Sequence, residues 1–180
     1  MEAKVSSDIM ELIDKMTAEE TKALAKRLTP LISHELMLTP TIWGSRARLH
    51  LGKGVVLINT LFNLSSGDVH IGDFVFFGHN VSVLTGTHAI DQFDLARQCS
   101  IPLSGRDVII EKGVWIATNA TIIGPCRIGE NAVIGVGSVV MEDVRAGWFY
   151  AGVPAKPIKP VSPEYADPSV CAAARSPEAI

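Results

Sequence analysis

The sequence predicts an all-β solenoid, and three observations carry that prediction. Ile110, Ile116, Ile122, Ile128, Ile134 and Val140 stand six residues apart. Two residues before each stands a small or β-branched partner: Val108, Val114, Ala120, Cys126, Ala132 and Ser138. The same phase appears upstream, where Val69, Val75 and Val81 precede Ile71, Phe77 and Val83. A short fixed period means that one structural unit is stacked on copies of itself, and six-residue periods are characteristic of β-helices. Each hexad supplies one short strand with two inward side chains, then a turn. With three hexads per coil, Val108–Pro125 and Cys126–Asp143 each make one turn of eighteen residues.

Residues 1–40 do not share the repeat and are predicted to form a helical segment, read first as a cap on the open first rung and otherwise as a partner-docking or acceptor-binding element. Asp8–Met16 and Thr17–Leu28 read as helices, with Thr17 and Glu20 as a capping box and Pro30 as the stop. The repeat region is assigned to residues 41–160. Its early phase is imperfect: two residues more than two hexads separate Leu57 from Ile71, so a bulge is expected within Thr60–Asp68. After Leu84 the phase is lost until Val108, leaving a polar excursion over 85–107 that carries His88, Asp91, Asp94 and Arg97. An irregular segment that interrupts a regular scaffold is where function concentrates. Residues 161–180, rich in Pro, Ala and Ser, read as a loosely held tail.

Composition narrows the function classes. A net charge of −3 without a dense Lys/Arg cluster gives no nucleic-acid footprint. The longest uncharged stretch, Phe74–Ile90, is broken by Gly78, His79, Asn80, Gly86 and His88, so it reads as buried strands and not as a membrane span. The polar N-terminus lacks the apolar core of a signal peptide. Cys99, Cys126 and Cys171 show no metal-ligand or redox spacing, and Cys126 falls on a repeat position as a small core residue. A reduced, cytoplasmic setting is the expectation.

The wording Ile128-Gly129-Glu130-Asn131-Ala132-Val133-Ile134-Gly135 and the ending Ala151-Gly152-Val153-Pro154-Ala155-Lys156 resemble the hexapeptide-repeat acyltransferases. Within that family, Thr85-Gly86-Thr87-His88-Ala89-Ile90-Asp91 followed by Gly113-Val114-Trp115-Ile116-Ala117 resembles the maltose/galactoside acetyltransferase branch and its polysaccharide-modifying relatives. The resemblance, which covers roughly residues 49–160, implies a left-handed parallel β-helix. It also implies a homotrimer with acetyl-CoA sites between subunits, and acetyl transfer to a hydroxyl of a saccharide or glycoconjugate intermediate. No metal is required by that chemistry.

The resemblance assigns roles to particular residues. An imidazole titrates near pH 6.5, which suits it to take a proton from an alcohol at neutral pH. His88 stands where the family keeps its catalytic base, and it would let the acceptor hydroxyl attack the acetyl carbonyl directly, with no acyl-enzyme. Thr118 matches the backbone N–H donor to the oxyanion, and Trp115 would wall the acetyl end of the cleft. Val136, Gly137 and Met141 match positions along the pantetheine arm, and Lys156 and Lys159 match basic positions that meet phosphates. The family has Thr-Lys where this chain has Met141-Glu142. On the acceptor side Asn59, more than Asn63, and Asp91 are the candidates. The partner that orients His88 is sought among Gln98, Asp91 and Asp94.

Other readings use the same fold. A xenobiotic (antibiotic) or amino-sugar N-acetyltransferase would share the histidine, and a non-catalytic solenoid would lack the reactive excursion. A γ-carbonic anhydrase-like zinc protein needs three convergent ligands, with two histidines five apart. His70, His79 and His88 are instead spaced by nine. His34, His50, His70 and His79 are therefore expected to be ordinary structural or exposed residues.

Overall fold

The computed structural model describes residues 10–166. These divide between two compact units, with the boundary between Met37 and Leu38. In the first, residues 10–14 are helical and helix α1 (Ala18–Leu38) follows. The capping box forms: the Thr17 N–H donates to Glu20 Oε2 at 2.9 Å, and the Glu20 N–H donates to Thr17 Oγ1 at 3.3 Å. Pro30 does not stop the helix, contrary to the sequence-based expectation. Proline removes one backbone donor, but residues 31–38 contain no glycine or second proline. The helix therefore runs on to Leu38. The residues predicted to be helical before position 10 lie outside the described residues.

The second unit is built from short strands. In chain order they are β1 (Thr41–Trp43), β2 (Leu49–Leu51), β3 (Leu61–Asn63), β4 (Val69–Ile71), β5 (Phe76–Phe77), β6 (Ser82–Leu84) and β7 (Val108–Ile110). They continue as β8 (Trp115–Ile116), β9 (Thr121–Ile123), β10 (Cys126–Ile128), β11 (Val133–Ile134), β12 (Val139–Val140), β13 (Trp148–Ala151) and β14 (Lys156–Pro160). Helix α2 (Asp94–Cys99) lies between β6 and β7.

Three sheets result, in the orders β1-β3-β6-β9-β12, β2-β4-β7-β10 and β5-β8-β11-β13-β14. Up to β13, successive strands therefore go to different sheets, and each pairs with the one a coil away. The pairing is parallel throughout except for β13 with β14. Val108 pairs with Cys126, Trp115 with Val133 and Thr121 with Val139, so the eighteen-residue coil is present as predicted.

Alternation along each strand explains the core. Val108, Ile110, Val114, Ile116, Ala120, Ile122, Cys126, Ile128, Ala132, Ile134, Ser138 and Val140 are all buried, and the residue between each inward pair faces out. Burial pushes the Cys126 thiol up to about 12, with a smaller push from the Asp143 charge, so it stays protonated among its apolar neighbours.

Corners are turned by residues with positive φ stacked one coil above the next. At the corner from the third sheet to the first these are Ile58, Asn80, Asn119 and Gly137. Asparagine tolerates this region through its short polar side chain, whereas other L residues pay about 1–2 kcal/mol. Asn119→Ala is therefore expected to lower stability by about 1 kcal/mol, and Asn119→Gly to leave it within a few tenths, as read by urea unfolding.

The bulge expected within Thr60–Asp68 falls at the corner between β3 and β4. There the extra chain loops around the Arg48 guanidinium, which donates to the Leu64 and Ser65 carbonyls at 3.1 Å each. The excursion leaves from the same corner one coil later. Val69 pairs with Val108, so the scaffold resumes in register across the interruption. At the other end, β13 and β14 form a hairpin whose turn contains Gly152–Ala155. The start of the tail is held: Asn131 Nδ2 donates to the Tyr165 hydroxyl at 2.8 Å. The remainder of the expected loose tail, with Cys171, lies outside the described residues. Among the described residues, no helix is long and apolar enough to cross a membrane.

Candidate functional site

The excursion is anchored where it leaves the scaffold. Thr85 is fully buried, and its hydroxyl donates to the Asn63 carbonyl at 2.9 Å while accepting from the Ser66 N–H at 3.2 Å. Arg106, at the returning end, donates from Nε to the Thr85 carbonyl at 2.9 Å. Both ends of the irregular segment are thus fixed to the bulge beneath it.

His88 stands three residues beyond that anchor, with its ring exposed. Its Nδ1 lies 3.0 Å from the Arg97 carbonyl on α2. A carbonyl can only accept, so Nδ1 carries the hydrogen and the Nε2 lone pair is left for a proton. The orienting group is therefore a main-chain carbonyl, not Gln98, Asp91 or Asp94. No residue-type pattern could have shown it, because a carbonyl has no sequence signature. Arg97 also holds the loop with its side chain, donating from Nε to Gln92 O at 2.6 Å and from a terminal amine to Ile90 O at 3.2 Å. Asp91 is exposed in the turn just before this helix.

The scaffold residues gather on one corner. Trp115, on β8, faces outward and stacks on Phe76, with ring centroids 5.7 Å apart and planes at 15°. Thr118 follows at the turn. The neighbouring amides are used, Ala117 N–H by Ile134 O and Asn119 N–H by His79 O at 2.9 Å each. The Thr118 N–H has no hydrogen-bond partner among the described residues. Gly78 packs directly beneath, and a Cβ there would collide with the Thr118 amide nitrogen. One coil further on, the Gly137 N–H donates to Thr118 O at 3.0 Å. Val136 beside it is exposed, and nothing stands within 4 Å of where a Gly137 side chain would begin.

Met141 lies at the far end of β12, at a different corner from Val136 and Gly137. Next to it, Glu142 accepts from Lys156 Nζ at 3.4 Å, with both side chains exposed. Lys159, on β14 opposite Phe149, is exposed.

The two asparagines meet different neighbours. Asn59 Nδ2 donates to Asn80 Oδ1 at 2.7 Å, and Asn59 Oδ1 accepts the Asn80 N–H at 2.8 Å, so its amide is spent on a ladder between coils. Asn63 instead stands against Gly86, two residues before His88, so closely that a Cβ at Gly86 would strike its amide group. The register of β3 on β6 places Asn63 there, since Asn63 pairs with Leu84 at the start of the excursion.

Residues 107–141 match the family model described as bacterial transferase hexapeptide (six repeats). The galactoside O-acetyltransferase of Lactococcus lactis subsp. lactis is 28% identical over 138 residues, which cover 76% of this chain and 65% of that protein. A putative acetyltransferase of Schizosaccharomyces pombe is 34% identical over 116 residues, 64% of this chain and 55% of that one. The chain thus spans less than two thirds of these curated relatives. A galactoside acetyltransferase solved in complex with coenzyme A shares the fold at a TM-score of 0.59 and 23% identity, over 88% of this chain and 80% of that one. The hexapeptide-repeat acetyltransferase of Vibrio cholerae, solved with acetyl coenzyme A, gives a TM-score of 0.60 at 23% identity, over 83% and 81%. Repeat, coil and relatives together liken the chain to hexapeptide-repeat acetyltransferases, with the family model itself matching residues 107–141.

Proposed function

We propose that the chain is an acetyl-CoA-dependent O-acetyltransferase, a left-handed parallel β-helix that works as a homotrimer on a hydroxyl of a saccharide or glycoconjugate intermediate. The observation that carries this reading is the His88 ring: its Nδ1–H is committed to the Arg97 carbonyl and its Nε2 is open to an acceptor. The acceptor O–H gives its proton to Nε2 as its oxygen forms a bond to the acetyl carbonyl carbon. The tetrahedral oxyanion is met by an N–H such as that of Thr118, an interaction worth roughly 3 kcal/mol in comparable sites. Collapse breaks the C–S bond, and the proton held by His88 passes to the leaving thiolate.

The other assignments follow the surface. Trp115 and Phe76 form an exposed aromatic wall, and Val136 and Gly137 leave the corner bare for an extended ligand arm. A neighbouring subunit across this face would complete the cleft. Asn63 and Asp91 are the acceptor-side candidates, with Asn59 in a supporting role through Asn80. Lys156 and Lys159 would meet phosphates, and Glu142 draws on the first of these cations. Glu142→Gln is therefore expected to tighten acetyl-CoA binding about two- to fivefold in calorimetry, an effect that shrinks as salt is raised. The test of the whole reading is release of the coenzyme A thiol with a panel of saccharide acceptors. Acceptor-dependent release supports it. Release only with amines would assign N-acetylation instead.

A further inference from the structure

On the outer face of the second sheet, the strands bring together two histidines that stand far apart in the chain. His50 on β2 pairs in register with His70 on β4, and their rings stack with centroids 4.4 Å apart and planes at 10°. Asp68, two residues before His70, reaches the same spot, with Oδ2 3.0 Å from His50 Nε2. One ligating atom from each of the three side chains lies within 4.8 Å of the others. The carboxylate is held in place from behind. Its Oδ1 accepts from Arg48 Nε at 2.8 Å, and the same guanidinium is fixed by the Leu64, Ser65 and Leu103 carbonyls. A shallow depression of about 370 Å³ opens beside the rings, bounded by Gly72, Ile109 and Glu111.

We propose that His50, Asp68 and His70 form a binding site for one divalent transition-metal ion of the zinc class, bridging the first two coils of the solenoid. Two imidazoles and one carboxylate suit zinc and its neighbours and not magnesium or calcium, which take oxygen ligands. Bonds of about 2.0–2.2 Å in a tetrahedral arrangement place ligand atoms about 3.3 Å apart. His50 Nε2 and Asp68 Oδ2 are already near that separation, and the exposed His70 ring reaches it by swinging out of the stack. Three protein ligands leave a fourth position to water or a small ligand. Arg48 acts as the outer-shell group that fixes the carboxylate, the role such partners play in metal sites. The ion would tie β2 to β4 at the corner from which the excursion departs.

The test uses the full-length, tag-free protein freed of metal with a chelator and titrated with zinc chloride by calorimetry, with thermal unfolding as a second readout. The expected result is one ion per chain, a rise in Tm with zinc, and no such rise with magnesium or calcium. His50→Gln, an exposed substitution that leaves the core untouched, is expected to weaken binding at least about tenfold and to abolish the Tm shift, and His70→Gln to do the same. Absence of zinc binding at millimolar concentration, or binding unchanged in His50→Gln, would overturn the proposal.

Discussion

Replacing His88 with Ala is expected to lower kcat by about 10²–10⁴-fold while leaving the affinity for acetyl-CoA within about twofold. The split follows from geometry. The His88 ring makes its hydrogen bond with the Arg97 carbonyl, near the start of an anchored excursion. The positions proposed to meet the cofactor lie on the scaffold corner at Thr118, Val136 and Gly137. Removing the ring takes away the proposed proton acceptor and leaves those surfaces in place. A loss confined to the acceptor proton-transfer step appears in kcat and kcat/KM together. Weakened cofactor binding with normal turnover would move His88 out of the catalytic role and into the wall of the cleft.

The largest stability effect is expected in the aliphatic core. Phe62 is fully buried on β3 and meets Phe77 edge to face, with ring centroids 6.1 Å apart. Phe62→Ala removes the ring and leaves a cavity that neighbours on three sheets cannot fill, at a cost of about 3–5 kcal/mol. For a domain of this size that corresponds to a fall in Tm of roughly 10 °C. Because each coil contacts chiefly its neighbours, the loss should fall first on the early coils, read as faster amide exchange in β1 and β3 than in β9 and β12. An exchange pattern that weakens uniformly along the solenoid would contradict that picture.

The sequence carried the scaffold because inward positions repeat. Ile110 through Val140 had to face one interior, and the eighteen-residue register followed from three hexads per coil. The limits of the excursion were legible for the same reason, since loss and recovery of phase mark where strands stop and resume. What the repeat could not show was everything that depends on corners stacking upon corners. The register of β3 on β6 puts Asn63 beside Gly86, and stacking at the preceding corner puts Asn59 in a ladder with Asn80. His50 and His70 looked unrelated at their separation in the chain, yet register makes them neighbours. The carbonyl that orients His88 was invisible because main-chain groups leave no trace in residue identity. Pro30 misled in the other direction: one missing donor did not outweigh a run of helix-compatible residues on either side.

Calorimetric titration of acetyl-CoA into the purified protein tests the central claim most directly. The account predicts one site per chain with micromolar affinity, retained in the His88→Ala variant. No heat of binding at millimolar acetyl-CoA would contradict it.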